Sequence, residues 1–289
     1  MFGLLNLCKP SGITSRDLVN RVQRLVKPHK VGHAGTLDPL ASGVLVVCVG
    51  PATRLIEYVQ RMPKRYLATF LLGRESETED IEGTVTELAD PPVPTAEQVR
   101  GVLPRFVGCI QQLPPAYSAL KVDGKRAYAL ARRGEAPDLQ PRPIEVHSID
   151  LVDYSYPQLV LDIRCGSGTY VRSLGRDIAR ALGTQAVMSA LVRTEIGPFQ
   201  NTGALRGDDI TPQSIDRELL PPTLALGAMP QVQRDLREIA LLRNGQQIKR
   251  DDGQGSSNAE IAILDPAGKL MAIVVPAGAD YWQPRLVFG

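Results

Sequence analysis

The chain has few of the residues that build metal centres and disulfide frameworks: three histidines and four cysteines in 289 residues. His29, His33 and His147 are scattered, and Cys8, Cys48, Cys109 and Cys165 form no C-x-x-C pair, so neither a zinc site nor any other metal site is expected. The cysteines, set in apolar or strand-like surroundings, read as free, buried thiols of a reducing cytosol. No apolar run approaches bilayer length, and the first eight residues lack the charged flank of a signal peptide. A cytoplasmic protein with no membrane association is the expectation. An excess of one charge is missing too, with 33 Lys and Arg against 31 Asp and Glu. Any polyanionic partner must therefore be met by local segregation of charge. Internal repeats and low-complexity tracts are absent. At 43% hydrophobic content the chain can bury a sizeable core, as one large domain or a large one with a small companion.

Hydrophobic periodicity places the main elements. Leu18, Val19, Val22, Leu25 and Val26 share one face of a helix over 16–27, capped by Thr14 or Ser15. Val44–Val49 reads as an interior strand, Ala52–Arg61 as a short helix and Tyr66–Leu72 as a strand. Thr95 and Gln98 have capping-box spacing before a helix carrying Val99, Val102, Leu103 and Phe106. Two β-rich segments, Ile144–Val152 and Leu159–Cys165, precede a Gly166-Ser167-Gly168 turn and a helix over 170–182. Strands and helices mix without a strict βαβ alternation, which points to an α+β fold. Pro221, Pro222, Gly227 and Pro230 interrupt all periodicity and mark a boundary. Beyond it lie short strand-like runs at Ile261–Leu264, Leu270–Val275 and Arg285–Phe288, with a Gly-rich loop over 253–258. Residues 1–222 are thus expected to form one domain and 230–289 a small β-rich one.

The chemistry-bearing feature is the string Gly32-His33-Ala34-Gly35-Thr36-Leu37-Asp38-Pro39-Leu40-Ala41-Ser42-Gly43. Gly and Pro fix the backbone path, and Pro39 keeps Asp38 out of the helical region just before a buried strand. Asp38 is therefore a rigidly presented carboxylate. Arg172 falls in the first turn of its helix, where the macrodipole disfavours a cation unless an anion compensates. An Arg172–Asp38 pair would hold and orient that carboxylate; a solvated arginine, as expected for Arg176 and Arg180, is the rival reading. Lys64-Arg65-Tyr66 opens a strand whose Tyr66, Ala68, Phe70 and Leu72 share a face, and a tyrosine beside a carboxylate can stack on a base and move a proton. The acids Glu75, Glu77, Glu79 and Glu82 read as a solvated run around Asp80. Lys121, Lys125, Arg126 and Arg132, with Tyr117 and Tyr128 interleaved and an Asp123-Gly124 turn between, form the strongest basic patch. It suits a clamp on a phosphate backbone or a solvated helix face.

Taken in order, Lys9-Pro10-Ser11-Gly12, the Asp38 string, Lys64-Arg65-Tyr66, the stretch 114–134, Gly168-Thr169-Tyr170-Val171-Arg172, and Leu191 with Arg193 resemble the TruB family of tRNA pseudouridine synthases. Arg243-Asn244-Gly245 through Pro284-Arg285-Leu286-Val287-Phe288 is similar to that family's PUA-like domain. The resemblance implies a mixed, largely antiparallel sheet with flanking helices plus a small β-rich C-terminal domain. It implies Asp38 as catalytic aspartate, Tyr66 as the tyrosine stacked on the target uracil, Arg172 as the partner of the aspartate and Asp80 as a second acid of that network. His33 matches the histidine that enters the space of the flipped base, Leu191 an apolar contact to it, and Lys9 and Pro10 the pocket wall. Lys64 and the basic patch would contact RNA.

The implied reaction converts a T-loop uridine of tRNA, position 55, to pseudouridine. Nothing is oxidised or consumed, so no cofactor is expected; the partner is the tRNA T-arm, and the protein is expected to act on it as a monomer. Whether the aspartate attacks the sugar, attacks the ring or abstracts a sugar proton is open. The alternative is a noncatalytic tRNA-binding or folding protein using the same clamp and tail. A phosphate-binding nucleotidase is excluded because the Gly-rich loop lacks Gly-Lys-Ser/Thr.

Overall fold

A computed structural model describes residues 1–118, 120–122, 125–131, 133, 138–250 and 259–288. Among them the main sheet is ten-stranded, in the order Leu205–Arg206, β1 (Gly3–Lys9), β3 (Ser42–Val49), β8 (Ala186–Ile196), β4 (Lys64–Leu72), β7 (Gln158–Cys165), β6 (Arg142–Ser155) and β5 (Gly108–Gln112). Strand β2 (Val31–His33) adds to β3, and Phe199–Gln200 to β8. Pairing is antiparallel except where β1 meets Leu205–Arg206 and β8 meets β3. The α+β expectation of a mixed, largely antiparallel sheet therefore holds.

Strand β3 explains its own unbroken apolar run. Leu45, Val47 and Val49 face helix α1 (Ser15–Leu25) through Leu18, Val19 and Val22, while Val44, Val46 and Cys48 pack in a cluster with Leu270, Ile273 and Phe288 of the tail. Both faces are covered, so no polar residue alternates. Strand β4 instead shows period two, burying Tyr66, Ala68, Phe70 and Leu72. Helix α4 (Val171–Ala181) lies over that face and buries Val171, Leu174 and Ile178. It comes so near that a Cβ on Gly175 would sit 2.0 Å from Phe70 Cε1.

A five-stranded sheet follows, ordered β9 (Gln231–Gln233), β11 (Ile261–Leu264), β12 (Leu270–Ala277), β13 (Tyr281–Val287) and β10 (Ile248–Lys249), with helix α5 (Leu236–Arg243) against it. The connecting stretch 222–226 is a 3₁₀ turn that buries Ala225 and Leu226.

Several expectations shift. Thr14 is the cap of α1, with Asp17 completing a capping box, and Ser15 is free for another task. The predicted helix over 52–61 begins as a 3₁₀ turn and becomes α2 only at Ile56–Arg61, while the Thr95–Gln98 capping box opens α3 (Ala96–Val102). Cys48 and Cys165 are buried, but Cys109 is exposed on β5, an edge strand. The Gly-rich loop over 253–258, the Asp123-Gly124 turn and Arg132 lie outside the described residues.

Candidate active site

Asp38 sits in the loop between β2 and β3, and the N-terminal motif fastens that loop. Ser15 Oγ accepts from the Leu37 N–H at 2.9 Å and donates to the Leu37 carbonyl at 3.1 Å. Ser11 Oγ donates to the Leu40 carbonyl at 2.8 Å, and the Gly12 N–H to the Pro39 carbonyl at 2.8 Å. Lys9, fully buried, donates to the carbonyls of Pro10, Ile13 and Pro39 at 2.9, 2.7 and 3.3 Å. Burial pushes its ammonium down to about 8, against the pull of Glu82 and Asp38. Lys9 and Pro10 are not among the residues lining the cavities beside Asp38, contrary to their expected place in the pocket wall. The reason is physical: a buried ammonium is satisfied best by fixed carbonyls, and the loop supplies them.

From the other side, Arg193 of β8 reaches under the loop. Its Nε donates to the Val44 carbonyl at 2.8 Å and its Nη2 to the Gly35 carbonyl at 3.1 Å. The two strands meet so tightly that a Cβ on Gly43 would lie 2.2 Å from the Arg193 carbonyl oxygen, and Gly43 has φ +100°. Only glycine fits both conditions.

Arg172 joins four segments of chain. Its Nη2 lies 3.0 Å from Asp38 Oδ2 and donates to the Tyr117 carbonyl at 3.0 Å. Its Nη1 lies 3.3 Å from Asp80 Oδ2 and donates to the Thr78 carbonyl at 2.7 Å. The start of α4 is itself pinned, since Gln112 of β5 exchanges two hydrogen bonds with the Tyr170 backbone at 2.9 and 3.1 Å. Asp80 is buried, its Oδ1 accepting from Thr78 Oγ1 at 2.6 Å and the Glu82 N–H at 3.1 Å. Asp38, by contrast, is 38% exposed.

The expected solvated residues around this network need correction. Arg176 is buried and bonds to Glu79, to Asp177 at 2.8 Å and to the Leu113 carbonyl at 2.9 Å. Ser173 Oγ donates to Glu79 Oε2 at 2.9 Å. Two positions of α4 thus grip the acidic segment, which also pairs its backbone with Met188 of β8. The solvated reading holds for Glu75, Glu77 and Glu82, and Arg180 is exposed as expected.

Two cavities flank Asp38. The first, about 330 Å³, is lined by Asp38, Lys64, Tyr66, Tyr170, Arg172 and Leu191, among others. Burial pushes the Tyr66 phenol above its usual value, against the pull of the Arg193 guanidinium beside it. Lys64 donates to the carbonyls of Gln60 and, at 2.7 Å, Met62, and burial lowers its ammonium to about 8. Arg142 stands at the same cavity, donating to the Gly168 carbonyl at 2.5 Å with its guanidinium 4.9 Å from the Tyr170 ring centre. The second cavity is acidic, with Glu77, Asp80 and Glu82 in its wall. His33 pairs with Val47 in the β2–β3 ladder and is not among the lining residues of either cavity, and burial holds its imidazole below the usual range.

The structure thus gathers Asp38, Tyr66, Arg172, Lys64 and Leu191 at one cavity, with Asp80 behind it. The backbones of Lys121, Lys125 and Arg126 form a two-stranded ribbon, Lys121–Val122 against Lys125–Arg126. Their side chains, with Arg132, lie outside the described residues. Arg142 and the loop-supporting role of Arg193 were not read from the sequence.

The family model described as TruB family pseudouridylate synthase (N terminal domain) matches residues 23–171, the stretch that holds Asp38, Tyr66 and Asp80. The chain belongs to the TruB family. It is 43% identical to tRNA pseudouridine synthase B of Rhodopirellula baltica, over 99% of this chain and 94% of the relative. It is 44% identical to the protein of the same name from Gluconacetobacter diazotrophicus, over 95% and 87%. Among solved structures it is similar to a chain of a Cbf5-Nop10-Gar1 complex, with TM-score 0.75 and 25% identity over 100% of this chain and 85% of that one. The likeness spans both sheets and agrees with a pseudouridine synthase fold followed by a PUA-like domain. No helix among the described residues is long and apolar enough to cross a membrane.

Proposed function

We propose that this TruB-family enzyme isomerises the uridine at position 55 in the T-loop of tRNA to pseudouridine, with Asp38 as its catalytic carboxylate. The observation that carries this reading is the Arg172–Asp38 pair in the wall of the first cavity, with the Asp38 side chain 38% exposed there alongside Tyr66 and Leu191. A pure binding protein has no use for a carboxylate facing a polyanion, because the repulsion costs affinity.

The reaction breaks the N1–C1′ bond, turns the uracil and joins C5 to C1′; C5 loses a proton and N1 gains one. The target atoms are out of reach in a stacked loop, so the nucleotide flips out, at a cost of a few kcal/mol. Tyr66 and Leu191 offer the flipped base an aromatic and an apolar wall. Arg172 fixes the direction of the Asp38 carboxylate, and Asp80 in turn fixes Arg172. The buried Tyr66 phenol keeps its proton at neutral pH and is the group placed to move one. Residues 1–222 form the catalytic domain in this reading. Residues 230–289 bind RNA beside it, and Lys121, Lys125, Arg126 and Arg132 clamp the T-arm backbone.

The test is chemical mapping of pseudouridine in a T-arm transcript treated with pure protein and with Asp38→Asn. Product at the T-loop uridine with wild type only is expected, while Asp38→Asn binds tRNA within about tenfold of wild type because the amide keeps the shape. Turnover by Asp38→Asn at a tenth of the wild-type rate would remove Asp38 from the chemistry.

A further inference from the structure

The two cavities share three lining residues, Asp38, Arg172 and Ser118. Asp38 and Arg172 are bonded to each other. Ser118 is the exception: it is 5% exposed, and its buried hydroxyl has no hydrogen-bond partner among the described residues. A hydroxyl taken out of water and left unpaired is unfavourable, and a site that binds a polar ligand is where such a group persists.

The position of the hydroxyl says what it meets. In the proposed reaction the base occupies the first cavity against Tyr66 and Leu191, and the sugar carbon C1′ must come to Asp38. The ribose therefore lies at the shared wall. The phosphates stay away from the second cavity, where Glu77, Asp80 and Glu82 would repel them. The sugar hydroxyl nearest C1′ is the one on the adjoining carbon, the 2′-OH, which both donates and accepts, as a serine hydroxyl does.

We infer that Ser118 is a specificity residue that hydrogen-bonds the 2′-hydroxyl of the flipped nucleotide and so makes the site prefer ribose over deoxyribose. The inference rests on the pseudouridine synthase reading of the same cavity. It also gives the stretch before the basic ribbon a direct role: the Ser118 carbonyl accepts from the Tyr128 N–H at 3.1 Å, tying the hydroxyl to the element that follows the ribbon.

The experiment is a cycle of two proteins and two RNAs. Binding of a T-arm stem-loop carrying uridine, or 2′-deoxyuridine at that single position, is measured by fluorescence anisotropy for Asp38→Asn and for Asp38→Asn with Ser118→Ala. Loss of the hydroxyl weakens binding of the uridine RNA roughly three- to tenfold and leaves the deoxyuridine RNA unchanged. Ser118→Thr, which keeps a hydroxyl, restores the discrimination. Equal weakening of both RNAs, or of neither, would overturn the assignment and make Ser118 a packing residue. A wild-type enzyme that forms no pseudouridine in the uridine stem-loop would instead overturn the substrate reading beneath it, whatever the Ser118 variants do.

Discussion

Ser15 holds Leu37 by both of its backbone groups, accepting from the N–H and donating to the carbonyl within 3.1 Å. A single side chain thus does for the residue before Asp38 what a neighbouring strand does elsewhere in the sheet. Ser15→Ala leaves two buried backbone groups unpaired and is expected to cost about 2 kcal/mol of stability in urea unfolding. Because the loosened loop carries Asp38, the single-turnover rate falls further than tRNA affinity. An equal loss in both would mean that the loop is held by its other fastenings alone.

Tyr66→Phe keeps the ring against the base and removes the hydroxyl. Stacking, and so tRNA binding, is expected to survive, while the single-turnover rate drops by roughly a hundredfold or more, the usual scale for a lost proton-transfer group. A rate equal to wild type would reduce Tyr66 to a wall of the cavity.

Lys64 makes stability depend on pH in the alkaline range. Burial sets its ammonium at about 8 in the folded protein against an ordinary 10.5, so between those values the unfolded chain holds more protons and stability rises with pH. Below about pH 8 the penalty of the buried charge is fully present. Relative to Lys64→Met, which does not titrate, the wild type should gain stability as pH climbs from 8 to 10, on the order of 1–3 kcal/mol. Urea midpoints of the two proteins at pH 7 and pH 10 check the sign; a constant difference would show that Lys64 stays charged throughout.

The ribbon prediction separates recognition from chemistry. If Lys121 and Lys125 neutralise phosphates, the double alanine variant lowers the magnitude of the salt slope of log K by somewhat under two units, and does so for every tRNA sequence. Its single-turnover rate at saturating tRNA recovers. A slope identical to wild type would move the RNA-binding surface elsewhere, to the tail sheet first.

What could be read from the sequence follows the range of the interaction. The Asp38 loop announces itself because its Gly and Pro residues fix the local backbone, and Arg172 because its place in the first helical turn asks for an anion. The Arg176–Glu79 contact and the carbonyls beneath Arg193 join segments far apart in the chain, and nothing local distinguishes them from solvated charges. Strand β8 escaped for a different reason. Its register shifts between Met188 and Ala190 and again between Arg193 and Glu195, so its buried residues do not alternate cleanly, although it lies at the centre of the sheet. The resemblance places Lys9 in the pocket wall, and the three carbonyls around its ammonium, two of them on its own N-terminal segment and one on the Asp38 loop, make it loop support instead.

Arg172 meets Asp38, Thr78, Asp80 and Tyr117, which the chain delivers from well-separated stretches. Closing loops over such distances costs entropy, which the packing of the sheet and of α4 must offset before the guanidinium is held among its partners. A growing chain on the ribosome has made Asp38 and Tyr66 long before Arg172 emerges. It carries the carboxylate but nothing to aim it, and so is catalytically silent until α4 docks on β4.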